Sequence, residues 1–293
     1  MALDQIEDEE KNPEEKEMSF LDHLEELRWH IIRSLGAILV FATIAFLNKT
    51  LIFHVILLGP SRMDFITYEW LCKLSELLQS DSFCIDELPF IIQSRQMTGQ
   101  FSMHITSSFV IGLICAFPYA FWEIWRFVKP GLYPRERKAA SGATFYVSFL
   151  FITGVLFAYF IVTPVSVYFL ANYQIDPSIL NEFDIVSYLT TVIMINIAGG
   201  ILFQLPIVVY FLTKAGLVTP EVMKTYRKHA IIIILILGAM ITPPDPFSQI
   251  LISLPLFGLY QVSIMISKRV LKREEKEELA LRAKEEKRRK KDE

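Results

Sequence analysis

The chain has 293 residues, 53% of them hydrophobic, and a mean hydropathy of +0.39, too apolar for an ordinary soluble domain. Its net charge of −3 averages two unlike ends: eight carboxylates and two lysines in residues 1–17, and twelve Lys/Arg with eight Asp/Glu in residues 268–293. Ends of that kind read as solvated tails, so the expected organisation is an acidic disordered tail (1–18), one membrane domain (19–267) and a charged C-terminal tail (268–293). No nucleic-acid partner is expected.

Ser19-Phe20-Leu21-Asp22 fits a helix start, with Ser19 as cap and Asp22 at the third helical position. On the helix that follows, Asp22, Glu26 and His30 share a face at a spacing of four, and nothing local offers the two carboxylates a cation. A solvated helix start is the plain reading of that face. The first crossing is Ile31–Asn48, with Arg33 near its start and able to reach the headgroups. It follows an acidic segment, not a basic one, so no cleavable leader is expected and this helix should remain as a membrane span.

Residues 62–100 form a long insertion between the first two crossings, within which Tyr68–Leu78 reads as a short amphipathic helix. Cys72 and Cys84 lie twelve positions apart in it, and a disulfide is plausible if that loop faces an oxidising compartment. Cys115 sits in an apolar run and reads as packing. The second crossing spans about 102–122. After it, Glu136 lies among Arg135, Arg137 and Lys138, where an exposed local ion pair is the plain reading.

The third crossing is expected over 139–162, continuing past Pro164 to Ala171, and the fourth over 185–213 with a kink at Pro206. The fifth, His229–Thr242, has only 14 residues. At 1.5 Å per residue it reaches roughly 21 Å, against about 30 Å of hydrocarbon. Pro243, Pro244 and Pro246 then force a tight reversal into the sixth, Phe247–Ser267, which Pro255 interrupts. The fold class is therefore an all-α polytopic membrane protein of six helices, with helices five and six short. The fourth-to-sixth helices carry Asn196, Gln204, Thr242, Gln249 and Gln261. Such neutral polar groups either join helices within the chain or receive a partner helix, and Gln249 beside the short corner is the best candidate for a partner.

Lys and Arg number five in 126–138, four in 214–228 and twelve in the C-terminal tail; none lies in 172–186 or 243–247, and four are spread over 49–101. Three alternate loops agree, so both termini are expected in the cytoplasm. The crossings carry almost no ionisable group at mid-depth, and the chain has no phosphate-binding loop, metal-ligand spacing or nucleophile–base pair. No enzyme activity, metal or cofactor is expected. A small-molecule secondary transporter, the main alternative, would need an inverted repeat and a midplane site that the sequence does not display.

Several stretches together resemble the TatC family, the multi-spanning core of the twin-arginine protein translocase. They are His23-Leu24-Glu25-Glu26-Leu27-Arg28, Gly59-Pro60, Trp125-Arg126-Phe127-Val128-Lys129-Pro130-Gly131-Leu132-Tyr133 with Glu136-Arg137, Phe157-Ala158-Tyr159-Phe160 with Pro164, and Thr242-Pro243-Pro244-Asp245 with Phe247-Ser248-Gln249. They span nearly all of 19–267 in the family's order. The resemblance implies recognition of folded precursor proteins by a signal peptide with consecutive arginines, and their export across the cytoplasmic membrane. By position, the arginine-reading carboxylates are Glu26 and Glu136. A guanidinium fork pairs well with a carboxylate at a partly dehydrated surface. The resemblance also implies TatA/TatB-like single-span subunits docking near Thr242 and Gln249, a homo-oligomer of this chain within the complex, and the proton-motive force as energy source. Two departures stand out: Gln204 replaces a glutamate common in the family's fourth helix, and the 62–100 insertion is large.

Overall fold

The computed structural model describes residues 20–78, 84–85, 87–129, 142–241 and 246–292. The acidic tail, the Ser19 cap, the 130–141 loop with Glu136, and the 242–245 corner with Thr242 lie outside the described residues.

Helix α1 (Phe20–Leu47) is followed by a wide π-helical turn (Thr50–Leu57) and a 3-10 turn (Gly59–Ser61) started by Pro60. Next come α2 (Ile66–Leu78), strand β1 (Phe90–Gln93) and the 30-residue α3 (Gly99–Val128), which contains Pro118. Helix α4 (Ala143–Phe157) continues through a π-helical turn (Ala158–Val162) into α5 (Thr163–Asn172). The wide turn lies just before Pro164, whose missing N–H and bulky ring disturb the helical ladder there. Strand β2 (Asn181–Asp184) leads into α6 (Ile185–Leu202), whose first turn is capped by the Asp184 carboxylate accepting from the Val186 amide at 2.9 Å. The chain breaks at Phe203-Gln204 and resumes as α7 (Leu205–Lys214), with Pro206 in its first turn. The short α8 (Pro220–Thr225), α9 (Arg227–Ile241) and α10 (Pro246–Asp292) complete the chain.

Among the described residues, five segments are long and apolar enough to cross a membrane: 24–47, 99–128, 143–172, 185–214 and 249–280. One further apolar helix, α9, the expected fifth crossing, has 15 residues, about 22 Å of helix. The kink expected at Pro206 is a full break between α6 and α7. Helix α10 passes through Pro255 without interruption and is short only in its apolar part, since its 47 residues run on through the charged segment expected to be a solvated tail. Alternating Glu and Lys/Arg there allow pairs one turn apart, as in Arg282 with Glu278 at 2.6 Å, so charge alone does not end the helix.

Small residues bring the helices together. A side chain at Gly112 of α3 would place its Cβ 2.5 Å from the Ala42 backbone nitrogen of α1, and one at Gly199 of α6 would meet the Ala158 Cβ at 2.5 Å. The glycines therefore let α1 approach α3, and α6 approach the 158–162 turn, more closely than a larger residue would allow. One core forms among Ala45, Val110, Leu189 and Val192; a second among Ala158, Ile195, Ile234, Ile252 and Leu256 brings α9 and α10 against α6.

At the end where α1 finishes, the insertion forms a cap. Cys72 and Cys84 are bonded to each other. The Tyr68 hydroxyl, 1% exposed, donates to the Pro60 and Pro164 carbonyls at 2.6 and 3.2 Å, and Thr67 donates to the Phe160 carbonyl. Phe65 packs among Tyr68, Tyr159 and Phe160. The sequence reading expected helices alone. The structure adds a parallel pairing of β1 with β2 in register Phe90–Asn181 to Gln93–Asp184, tied at its edge by Arg95 and Glu182 at 3.2 Å.

Candidate functional site

Opposite the cap, the first turns of α1 lie beside the last turns of α3, and the backbone contact at Gly112 holds the two helices close enough for their side chains to interlock. His30 of α1 is 4% exposed and Glu123 of α3 is 1% exposed. His30 Nδ1 lies 2.5 Å from Glu123 Oε2, a charge-assisted bond joining residues 93 apart in sequence. The Tyr119 hydroxyl, one turn back on α3, donates to Glu123 Oε1 at 3.0 Å. Two half-exposed arginines complete the shell: Arg33 comes to 3.9 Å of Oε2 and Arg126 to 4.0 Å of Oε1. Each carboxylate oxygen thus has one close donor and one more distant guanidinium. A buried carboxylate persists only with such compensation.

Glu26 stands one turn before His30 and is 38% exposed. Its Oε1 lies 3.9 Å from His30 Nε2, too far for a hydrogen bond but close enough for the imidazole to back it. Arg28 is drawn instead to Glu25 at 3.8 Å and lies over the Trp29 ring, 5.5 Å from its centroid. Arg126 lies over Trp122 at 5.0 Å. Among the described residues, Glu26 has no lysine or arginine within 4.0 Å. It is a half-exposed carboxylate on a rigid helix, free to accept a cation from outside the chain.

The structure places the other sequence-derived candidates apart from Glu26. Gln204 lies at the α6–α7 break, where its amide donates to the Val147 carbonyl of α4 at 3.1 Å while its Oε1 is buried without a partner. Gln249 donates to the Leu235 carbonyl at 3.3 Å, joining the short α9 to α10. Cys72 and Cys84 belong to the cap. Glu136 and Thr242 lie outside the described residues. Sequence reading passed over Glu123, because the second crossing was ended one residue before it, and took His30 only as the end of a polar face. The signal was there in Tyr119, Glu123 and Arg126, spaced four and three apart on one helix face. Only the fold supplies His30.

Residues 22–255 match the sequence profile of the family described as Sec-independent protein translocase protein (TatC). A Sec-independent protein translocase protein TatC from Blattabacterium sp. subsp. Periplaneta americana is 43% identical over 256 residues, 87% of this chain and 96% of that protein. Its counterpart from Helicobacter pylori strain 26695 is 34% identical over 248 residues, 85% and 87% of the respective chains. Two crystal structures of the twin-arginine translocase receptor TatC, one of them in DDM, superpose with TM-scores of 0.59 and 0.64 at 32% identity; they cover 84% of this chain and 98% and 99% of theirs. Running from the first turns of α1 into α10, these matches show that the chain belongs to the TatC family of Sec-independent protein translocase proteins.

Proposed function

We propose that this chain is the receptor and core component of a twin-arginine translocase in the cytoplasmic membrane, where it binds the signal peptides of folded precursors and passes their cargo on without catalysing a chemical step. Glu26 and Glu136 act as the carboxylates that receive the two consecutive arginines. The observation that carries this reading is the half-exposed Glu26 carboxylate, which among the described residues has no arginine within 4.0 Å while Arg28, Arg33 and Arg126 each face another carboxylate.

The chain crosses the membrane six times with both termini in the cytoplasm, α9 being the short fifth crossing. The concentration of Lys and Arg in 126–138, 214–228 and the C-terminal segment supports this orientation. The cap then lies outside, where a Cys72–Cys84 disulfide is stable. TatA/TatB-like single-span subunits dock along α9 and α10 near Thr242 and Gln249. Support comes from the exposed apolar side chains Ile232, Ile233, Ile236 and Met240 of the short helix. Gln204, with its buried free carbonyl oxygen, offers a further polar contact for a helix entering between α4 and α7. The chain acts as one of several copies in the complex.

The test is binding of a fluorescent twin-arginine signal peptide to the purified chain in detergent. Losing a charge-assisted pair costs about 1.5–3 kcal/mol, so Glu26→Ala and Glu136→Ala should each weaken binding by roughly ten- to a hundredfold. Unchanged affinity in both would refute the assignment.

A further inference from the structure

The arginines around Glu26 pose an electrostatic difficulty for a surface meant to bind arginine. Arg28 and Arg33 lie within about two helical turns of it on α1, and Arg126 of α3 flanks the same His30–Glu123 pair, so each would repel an incoming guanidinium or compete for Glu26. The structure matches them one by one: Arg28 with Glu25, and both Arg33 and Arg126 with the buried Glu123. We propose that Glu123 is a positioning residue for cargo recognition, holding His30, Arg33 and Arg126 on its own two oxygens so that Glu26 stays open to an arginine from the signal peptide. The inference rests on the reading of Glu26 given above.

The geometry separates this role from ordinary packing. Glu123 is too deeply buried to meet cargo directly, at 1% exposure, yet its partners reach outward, Arg33 and Arg126 being half exposed. His30 lies between the two carboxylates, 2.5 Å from Glu123 and 3.9 Å from Glu26, so the inner carboxylate also decides which way the imidazole is drawn. Tyr119 fixes the remaining oxygen. Without the inner charge, the two guanidinium groups lose their counter-ion and Glu26 becomes a carboxylate to which they can swing. Long, half-exposed arginine side chains have the reach to do so.

The experiment measures the affinity of a fluorescent twin-arginine signal peptide for the full-length chain in detergent, with Glu26→Ala run in parallel. Glu123→Gln should lower affinity by at least about tenfold, as expected when unmatched like charges face a ligand, and the loss should shrink as salt is raised. Restoring charge balance by Glu123→Gln with Arg33→Gln and Arg126→Gln should recover most of that loss, a rescue that damaged packing would not produce. Arg33→Gln with Arg126→Gln alone, which keeps Glu123, should bind the peptide more tightly than the unmodified chain and reports the same competition even if Glu123→Gln folds poorly. The inference is overturned if Glu123→Gln binds normally while Glu26→Ala does not, if the triple variant is no better than Glu123→Gln, or if removing the two arginines alone weakens binding. Full affinity in Glu26→Ala would remove the reading beneath it, and the inference with it.

Discussion

The two ends of the helical bundle are held by opposite chemistry. At the cap, burial is mostly apolar and the buried tyrosines are neutral and hydrogen-bonded: Tyr68, Tyr159 and Tyr188 each donate to a backbone carbonyl, and burial pushes the Tyr68 hydroxyl's pKa well above its ordinary value. A disulfide adds a covalent tie. At the Glu123 end, the buried group is a carboxylate, its neighbours are half-exposed cations, and one carboxylate is left unmatched. A saturated end resists change, whereas an end with a surplus charge can exchange partners. The first is suited to holding a shape and the second to binding.

That contrast can be broken most forcefully at the cap. Phe65→Ala removes an aromatic ring that is 8% exposed and in contact with three others, so stability should fall by about 3–5 kcal/mol while signal-peptide affinity stays within experimental scatter. Thermal unfolding and peptide titration on the same sample check both halves. Reducing or replacing the Cys72–Cys84 pair should cost about 2–4 kcal/mol, again without touching affinity, and is read as a lowered melting temperature under reductant. At the opposite end, Tyr119→Phe removes one donor from the buried Glu123 and should cost about 1–3 kcal/mol, this time with weaker peptide binding. The smallest effect belongs to Asp64, whose hydrogen bonds with Arg62 hold its carboxyl below the usual aspartate value of 3.8. A lowered folded-state pKa means the pair's contribution is present above about pH 4 and lost as pH falls through the folded-state value. Asp64→Asn should therefore lower stability slightly at neutral pH, with the difference vanishing as pH falls below the folded-state value, so the acid limb of the profile flattens.

The long apolar crossings were legible because hydrophobic length is a local property, and Pro206 and the short α9 were legible because proline and segment length are local too. The TatC motifs made Glu26 legible. What stayed hidden depends on residues far apart in the chain. Asn181–Asp184 contains too few β-forming residues to announce a strand, and pairs with Phe90–Gln93 only because α6 begins beside the cap. Thr50–Leu57 reads as the start of the loop after the first crossing, yet forms a π-helical turn leading into Gly59-Pro60. Nor does anything near His30 or Glu123 point to the other. Their pairing follows from the Gly112–Ala42 contact, which sets how α1 lies on α3.

The account turns on Glu26 meeting a cargo arginine, and a double-mutant cycle measures that contact directly. Glu26→Gln is combined with replacement of each signal-peptide arginine by glutamine, and the four affinities are compared. The account predicts a coupling energy of about 1.5 kcal/mol or more with at least one of the two arginines. Additive losses with both arginines, meaning no coupling within error, would contradict it.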